Sequence, residues 1–478
     1  MAEIHSGATL SPTKLELLPD WMARQRWYAA KGRVPVLRKL WSWRLDDPAG
    51  EVGIETLLVV DESGDSPVLY QVPLTYRGAP LEGGHDALVG TMQHSVLGPR
   101  WVYDGPRDPV YATQLLELAL GRAVPQAGGA SDTPEPNVRG ERHATAPDVR
   151  VVGSRVLSGE QSNTSVIYEC VDADGHPRPL ICKVFRTLQE GENPDVVVQG
   201  ALAESGSARV PAMAGSVSAQ WPSVADPERA AHGHLAFAQE FLPGTEDAWR
   251  VALRAVAAGE DFSGPARELG AATAEVHAAL AAALPTVEAG PEDVAATVAV
   301  MRRRYVAAAS EVPAIAAYDH EIAAVFDAAA TAPWPALQRV HGDYHLGQVL
   351  EVPGRGWVLL DFEGEPLRPL AERTRPDLAL RDVAGMLRSF DYAAGSWEKA
   401  HPEQSARRWA QDAQVAFLDG YAAAGGRDPR ADVALLTALQ LDKALYEVVY
   451  EARNRPTWLS IPTDAVVRLL DEARKAIR

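Results

Sequence analysis

Two stretches decide the fold of this chain, VHGDYHLGQVL at Val340–Leu350 and WVLLDFEGEP at Trp357–Pro366. Asp343 stands in a polar loop, and an amide, Gln348, follows it five positions later. The second stretch begins as an apolar strand and ends on another aspartate, Asp361. The pattern therefore predicts a short hairpin of strands between two acidic clusters.

This arrangement suits phosphoryl transfer, which depends mostly on positioning and charge neutralisation. One carboxylate can accept the proton of an attacking hydroxyl. An amide oxygen and a second carboxylate can hold Mg²⁺ against nucleotide phosphates, and Glu363 adds a further carboxylate. An isolated His-Gly-Asp would be an ordinary turn, but its combination with the strand and Asp-Phe-Glu favours a catalytic site.

Both stretches resemble the catalytic and metal motifs of the aminoglycoside-phosphotransferase-like kinases, and more closely those of actinobacterial maltokinases. The resemblance implies an α+β, protein-kinase-like, two-lobed fold, with a β-rich N-lobe, a helical C-lobe and an N-terminal α/β cap. It makes Asp343 the catalytic base, Gln348 and Asp361 the Mg²⁺ ligands, and Glu363 an auxiliary ligand. Gln348 replaces the Asn usual in the wider superfamily and fits the maltokinase-like branch.

The nucleotide site is expected from three upstream segments. Lys183 lies on a predicted strand and would pair with the ATP phosphates, with Asp195 or Glu204 replacing the usual glutamate partner. A small-residue loop, SGEQSNTS, would cover the phosphates, and the run FAQEFL would contact the adenine through its backbone. The predicted ATP-binding residues of these two segments are Ser158, Gly159, Gln161, Ser162, Asn163, Gln239, Glu240 and Phe241.

The acceptor site is expected on a helix near the C-terminus, in QLDKALYEVVYEARNRPTW. Acidic, basic and aromatic side chains at helical spacing suit a sugar, whose hydroxyls need polar partners and whose C–H face stacks on a ring. Surface ion pairing and core packing are the alternatives for these side chains. His345 is expected mainly to hold its loop by hydrogen bonds. The predicted sugar-binding residues are Asp343, His345, Asp442, Lys443, Tyr446, Glu447 and Trp458.

Composition shifts predict the domain organisation. Residues 1–123 contain strand-like runs and a helix, and DWMARQRWYAAKGR resembles the start of the maltokinase cap. Residues 124–147 are rich in Pro, Gly, Ala, Ser and Thr and are predicted to be a linker. Residues 148–242 read as an antiparallel, nucleotide-binding lobe, and residues 243–478 as a lobe of amphipathic helices.

Charge and cysteine content exclude several classes of protein. The chain has 46 Lys and Arg against 64 Asp and Glu, a net charge of −18, so no nucleic-acid partner is expected. No apolar run suggests a membrane span, so a cytoplasmic enzyme without a membrane partner is expected. The two cysteines, Cys170 and Cys182, are predicted to be buried thiols. We expect a monomer whose partners are ATP and a small sugar.

By resemblance, the first expectation is a maltokinase, which forms maltose 1-phosphate from ATP and maltose for α-glucan and glycogen synthesis. Glucosamine kinase, which phosphorylates the 6-hydroxyl on the same scaffold, is the alternative. The ending YEARNRPTW favours maltokinase, whereas Gln440 departs from the glutamate of maltokinases. A third reading is a pseudokinase or sugar-binding module, against which the set Lys183, Asp343, Gln348 and Asp361 argues.

Overall fold

The computed structural model describes residue 5 and residues 7–130, 132–157, 162–365 and 368–477. The chain forms two compact units. The first consists of Met1–Gly200 and Pro211–Pro243, and the second of Ala201–Val210 and Gly244–Arg478. The predicted cap and β-rich lobe thus share one unit, and the helices dominate the other.

The first sheet of unit one is built mainly from β-branched and aromatic runs that alternate across a pleated surface. Its strands lie in the order β1-β5-β6-β4-β3-β2-β7 and pair antiparallel. Helix α1 starts with a capping box formed by Thr13 and Glu16. Trp27 and Tyr103 are buried, as expected for core aromatics. The elements are β1 (Leu10–Ser11), α1 (Lys14–Met22), β2 (Leu37–Leu45), β3 (Gly53–Asp61), β4 (Val68–Arg77), β5 (Leu88–His94), β6 (Gly98–Asp104), α2 (Pro109–Ala119) and β7 (Gln126–Ala127).

The second sheet of unit one has six antiparallel strands in the order β8-β13-β14-β11-β10-β9. Three of its strands confirm the runs predicted after residue 150, and both cysteines are buried and free. Its elements, with the short β12, are β8 (Val138–Arg142), β9 (Arg150–Val156), β10 (Asn163–Val171), β11 (Leu180–Phe185), β12 (Thr187–Leu188), α3 (Pro194–Glu204), β13 (Met213–Pro222) and β14 (Ala230–Glu240).

The segment predicted to be a linker, residues 124–147, is structured over much of its length. Strand β7 pairs with β2 in the first sheet, and β8 pairs with β13 in the second. Strands of two and five residues are too short to show a period of alternation, so composition alone suggested a linker. The segment belongs to both sheets.

Buried polar contacts join the two sheets of unit one. The Arg186 guanidinium, which is fully buried, donates to both carboxylate oxygens of Asp104 at 2.7 and 2.9 Å and to Thr164 Oγ1 at 2.8 Å. Gln71 Nε2 donates to the carbonyls of Phe185 and Leu235. Strand β12 pairs with β4. The cap sheet is therefore fixed to the second sheet by backbone and charged hydrogen bonds.

Unit two is mainly helical, as predicted from its Ala- and Leu-rich periodicity. Helices α5 and α10 pack closely because glycines stand at their contact: a Cβ at Gly270 would lie 2.0 Å from the Phe417 carbonyl oxygen, and one at Gly420 1.9 Å from that of Arg267. The elements are β15 (Glu246–Asp247), α4 (Ala248–Ala258), α5 (Ser263–Ala283), α6 (Pro291–Glu311), α7 (Asp319–Thr331), β16 (Val349–Val352), β17 (Gly356–Leu359), α8 (Leu370–Arg373), α9 (Leu380–Ala400), α10 (Arg407–Ala423), α11 (Val433–Asn454) and α12 (Ser460–Ile477).

The predicted hairpin is present in unit two. Strands β15, β16 and β17 form an antiparallel sheet, and a 3₁₀ turn, Leu346–Gln348, leads into β16. Further 3₁₀ turns are His85–Ala87, Gly105–Arg107, Pro313–Tyr318, Pro429–Asp432 and Pro456–Trp458. In the part of the chain that the structure describes, no helix is both long and apolar enough to span a bilayer.

Candidate active site

The loop that carries Asp343 is held by a buried carboxylate, Asp382, on helix α9. Asp382 accepts the backbone N–H groups of His341 and Gly342 at 2.8 and 2.9 Å. His277 on α5 contacts the same carboxylate at 3.0 Å. Gly342 has a φ of +83°, which a residue with a side chain rarely adopts. These contacts set the direction in which the loop presents Asp343.

Asp343 is partly exposed and contacts a lysine of helix α11. Lys443 Nζ donates to Asp343 Oδ1 at 2.9 Å and lies 3.2 Å from Glu365 Oε1. Burial alone would lower the pKa of Lys443, but the carboxylates of Asp343 and Glu365 raise it above its usual value. The ammonium is thus charged throughout the physiological pH range beside the predicted base.

The three predicted metal ligands lie at the end of the hairpin. Gln348 Nε2 donates to Asp361 Oδ2 at 2.9 Å, so the amide oxygen of Gln348 faces away from this bond. One carboxylate oxygen of Asp361 lies within 4.8 Å of one of Glu363. Asp361 adopts a φ of +66°. An amide oxygen and two carboxylates are hard oxygen donors, the set that Mg²⁺ prefers.

Asp442, predicted to contact the sugar, has a different environment. Its side chain is 1% exposed, and Oδ2 accepts from Arg304 at 2.8 Å and from Arg381 at 3.3 Å. Helical periodicity placed it on the same face as Tyr446, but α11 is covered on that side by cationic side chains from α6 and α9. The contacts correct the prediction: Asp442 is a buried partner of two arginines.

A cavity of about 220 Å³ in unit two collects five of the seven predicted acceptor residues, and Asp343 and Asp442 are not among the described residues that line it. Four come from the sequence prediction on helix α11 and its C-terminal turn, and His345 comes from the loop of Asp343. Sequence reasoning did not assign the contributions of α4 and α9 or the outer residues of α11. The lining includes His345, Lys443, Tyr446, Glu447 and Trp458, which were predicted, and Trp249, Ser389, Tyr392, Tyr450, Glu451 and Arg455, which were not.

Charge in the cavity is organised in pairs. Glu447 Oε2 accepts from Nη2 and Nε of the fully buried Arg388 at 2.7 and 3.1 Å. Burial raises the pKa of Glu447 above its usual value, against the opposing effect of Arg388. Glu451 accepts from Arg455 and, at 3.1 Å, from Tyr392. The cavity therefore has two fixed carboxylates.

The aromatic groups of the cavity are stacked with cations. Lys443 Nζ lies 4.9 Å from the centre of the Tyr446 ring, and burial raises the pKa of Tyr446 to about 12. The Arg455 guanidinium lies 4.9 Å from the Trp458 ring. His345 Nδ1 accepts from the Gly347 N–H at 3.0 Å, and burial lowers the pKa of its ring. His345 thus supports its loop, as predicted, and also lines the cavity.

In unit one, the predicted phosphate-binding lysine, Lys183, forms an ion pair with one of its two predicted acidic partners. Lys183 Nζ donates to Asp195 Oδ2 at 2.7 Å, and Asp195 is buried at the start of α3. Of the two candidates from sequence, the structure places Asp195 beside Lys183. Ser162 and Asn163 lie at the start of β10. The predicted residues Ser158, Gly159 and Gln161 lie outside the described residues.

The predicted adenine-contacting run, Gln239–Phe241, ends strand β14. The side chain of Gln239 is buried and accepts from Gln199 Nε2. The Glu240 N–H donates to the Ala212 carbonyl at 2.8 Å, and the Phe241 N–H to the Pro179 carbonyl at 3.0 Å. Both N–H groups already donate to carbonyl groups of unit one. The predicted adenine contact would therefore use backbone carbonyl oxygens of this run.

Two known protein families match different parts of the chain. Residues 21–108 match the maltokinase N-terminal cap domain, and residues 174–435 match the phosphotransferase enzyme family. Glucosamine kinases from Streptacidiphilus jiangxiensis and Mycolicibacterium smegmatis are 33% and 32% identical to the chain. The aligned regions cover 68% and 67% of this chain and 75% and 80% of those proteins.

Solved structures give the same result. A glucosamine kinase in complex with glucosamine, ADP and inorganic phosphate matches with a TM-score of 0.63 at 25% identity, covering 96% of this chain and 99% of that one. The chain belongs to the phosphotransferase enzyme family and has its kinase-like fold, with a β-rich N-terminal part, a helical C-terminal part and a cap. Within that family it is an ATP-dependent sugar kinase of the group that contains maltokinases and glucosamine kinases.

Proposed function

We propose that this enzyme is a glucosamine kinase, which transfers the γ-phosphoryl group of ATP to the 6-hydroxyl of glucosamine. This proposal reverses the order expected from the sequence, in which maltose came first. The relatives described above are named glucosamine kinases, and none of those names mentions maltose. We also propose that the enzyme is a cytoplasmic monomer that uses ATP as its donor.

The two glutamates of the cavity are the observation that carries the choice of acceptor, and Lys443 of the same cavity contacts Asp343. A protonated amine needs a carboxylate in a partly desolvated site, and Glu447 and Glu451 both line this cavity. Both hydrogen bonds that Arg388 donates to Glu447 end on Oε2, which leaves Oε1 for a ligand. The volume of about 220 Å³ is below the roughly 300 Å³ at which pockets for drug-sized ligands begin, and it suits one sugar ring.

Asp343 would act as the general base. As the new bond forms between the 6-oxygen and the γ-phosphorus, the bond from that phosphorus to the β,γ-bridging oxygen breaks and ADP leaves. The hydroxyl proton passes to the Asp343 carboxylate. Lys443 would hold that carboxylate in place, because its Nζ lies 2.9 Å from Oδ1. Lys183, held by Asp195, would contact the phosphates of ATP.

Mg²⁺ is the metal that the donor set favours. The Gln348 amide oxygen and the carboxylates of Asp361 and Glu363 would hold it, and the ion would neutralise charge on the nucleotide phosphates. The bond from Gln348 Nε2 to Asp361 Oδ2 supports this assignment, since it fixes which end of the amide is available as a ligand.

One assay separates the candidate acceptors. ADP release, coupled to NADH oxidation, is measured with glucosamine, maltose, glucose and an aminoglycoside at saturating Mg²⁺ and ATP. We expect glucosamine to give the highest kcat/KM, and phosphorus NMR of the product to show a 6-phosphate. Activity with maltose and none with glucosamine would restore the maltokinase assignment. If no ADP is released above background with any of the four acceptors, a non-catalytic binding protein would be favoured.

A further inference from the structure

Glu365 is a buried carboxylate that neither the sequence motifs nor the proposed metal site explain. Its side chain is 3% exposed and lies between two cations. Oε1 is 3.2 Å from Lys443 Nζ, and Oε2 accepts from Arg304 Nη2. Arg304 reaches this position from helix α6. Glu365 therefore connects a helix outside the catalytic motifs to the lysine that contacts the base.

Two further contacts hold the Arg304 side chain in place. Its Nη1 donates to Asp442 at 2.8 Å, and its guanidinium lies 5.3 Å from the centre of the Tyr446 ring. Lys443 lies over the same ring at 4.9 Å. The ammonium of a lysine can adopt many positions because its four-carbon chain is flexible. The carboxylates of Asp343 and Glu365 and the ring of Tyr446 restrict the ammonium of Lys443 to a few of them. The position of Lys443 is thus set by Glu365 and the Tyr446 ring as well as by Asp343 itself.

We propose that Glu365 and Arg304 are positioning residues for phosphoryl transfer, which hold the Lys443 ammonium so that it orients the carboxylate of Asp343. The inference rests on the proposed function only in that Asp343 is the base, whatever sugar is the acceptor. Stability alone does not require these charges, because well-packed apolar groups often replace a buried ion network without loss. Glu365 contacts Lys443, and Lys443 contacts Asp343. This chain of contacts is the reason for assigning the network a role in catalysis.

A double-mutant cycle tests whether Glu365 acts through Lys443. The variants are Glu365→Gln, Lys443→Met and the double variant, assayed with the sugar that gives the highest kcat/KM. We expect Glu365→Gln to lower kcat by about 10- to 100-fold, the range expected for small misplacement of a reacting group, with the KM for ATP unchanged. The double variant is expected to be no slower than Lys443→Met, within about twofold, because the two residues act in series.

Asp432→Asn is the matched control. The Asp432 side chain is 3% exposed, like that of Glu365, and its Oδ1 and Oδ2 accept from Arg427 at 2.7 and 2.6 Å in a separate ion pair of unit two. We expect this variant to lower the melting temperature about as much as Glu365→Gln but to leave kcat within about threefold of the unsubstituted enzyme. Glu365→Asp is expected to recover part of the lost kcat.

Three results would overturn the proposal: an unchanged kcat in Glu365→Gln, losses that multiply in the double variant, or an equal loss of kcat in Asp432→Asn. If Glu365→Gln does not fold, Glu365→Asp and Arg304→Lys retain the charges and shift the ammonium. Normal kcat in both would also overturn it. Failure of glucosamine as acceptor would leave the cycle intact, since the cycle uses the preferred sugar.

Discussion

At the scale of single residues, Asp343 combines exposure with a fixed direction. Its partner Lys443 has a raised pKa and stays charged, so the carboxylate has a permanent cation beside it. The sequence predicted both residues for the site, because a loop aspartate and a helical lysine belong to recognisable motifs. It could not predict that they touch, since 100 residues separate them.

Replacement of the base is the most direct test at this scale. Asp343→Asn keeps the shape of the side chain and removes its ability to take a proton. We expect turnover to fall by about a thousandfold or more, as is usual for positioned acid–base groups, with ATP binding nearly unchanged by calorimetry. Near-normal turnover would contradict the assignment of the base.

A second variant, Asp361→Asn, tests the proposed Mg²⁺ ligands. Asp361→Asn removes a charged oxygen ligand and leaves a neutral amide beside Gln348. We expect the Mg²⁺-dependent part of nucleotide binding to be lost, because a hard divalent cation needs the carboxylate. Calorimetric titration of ATP with and without Mg²⁺ measures it. An unchanged Mg²⁺ dependence would show that other groups hold the ion.

Glu447 is the residue on which acceptor selectivity is expected to depend. Burial raises its pKa, so its carboxylate takes up a proton at a higher pH than an ordinary glutamate does. As the pH falls, the KM for glucosamine should therefore rise, while that for glucose, which has no amine, changes less.

The matched variant for this effect is Glu447→Gln. We expect it to raise the KM for glucosamine by about tenfold at neutral pH, the size of one lost charge-assisted hydrogen bond, and to remove the acid dependence. The KM for both sugars, measured across the pH range, checks this. Equal effects on glucosamine and glucose would show that Glu447 does not contact the amine.

At the scale of elements, the catalytic loop depends on helix α9. Asp382 accepts two backbone N–H groups of the loop and contacts His277 of α5. Burial alone would raise the pKa of Asp382, but the hydrogen bonds and charge that it receives lower it. A carboxyl with a lowered pKa stabilises the fold above the pKa of the unfolded chain, and this contribution is lost as the pH falls through the folded value.

Asp382→Asn places an amide where two N–H donors converge. We expect it to reduce the free energy of unfolding by about 3 kcal/mol at neutral pH, because it breaks a buried charged network. The difference from the unsubstituted enzyme should shrink below about pH 4, where the carboxyl of the unfolded chain is protonated. Urea denaturation at several pH values measures both effects. A difference that persists undiminished in acid would contradict the role of the charge.

Element prediction succeeded where periodicity was long and failed where it was short. Helix α5 and strands β10 and β11 follow clear apolar patterns, and the structure confirms them. Strands β7 and β8 carry almost no pattern, because their partners in two different sheets define them. Without such a pattern, only the composition of this segment could be interpreted, and that composition is typical of a linker.

At the scale of the whole molecule, unit one shows how the cap is attached. Arg186 and Asp104 form a buried pair whose residues are 82 positions apart, Asp104 at the end of β6 in the first sheet and Arg186 directly after β11 of the second. Removing one partner of such a pair leaves a buried charge without compensation. The cap is thus expected to contribute to the stability of the nucleotide-binding sheet.

Arg186→Met tests this attachment. We expect a loss of about 3–5 kcal/mol in the free energy of unfolding, because Asp104 is left buried and unpaired. Arg38→Met is the control: Arg38 pairs with Glu62 at the surface, each side chain is 47% exposed, and a loss of at most about 1 kcal/mol is expected. Chemical denaturation of both variants gives the comparison. Similar losses in the two variants would contradict the special role of the buried pair.

The sequence by itself determined the class of this protein. The loop with Asp343 and Gln348 and the strand that ends at Asp361 suit phosphoryl transfer by residue type and spacing, and the role of Lys183 is what their resemblance to aminoglycoside-phosphotransferase-like kinases implies. Local patterns also determined most of the helices and long strands, because each buries one face at a fixed period.

Tertiary structure alone decided which distant side chains meet. It paired Lys183 with Asp195, placed Lys443 between Asp343 and Glu365, and turned Asp442 toward two arginines. It also brought the two carboxylates of the cavity, Glu447 and Glu451, together with side chains of other helices. Helical periodicity specifies which residues share a face, whereas the neighbour of that face depends on how separate helices pack.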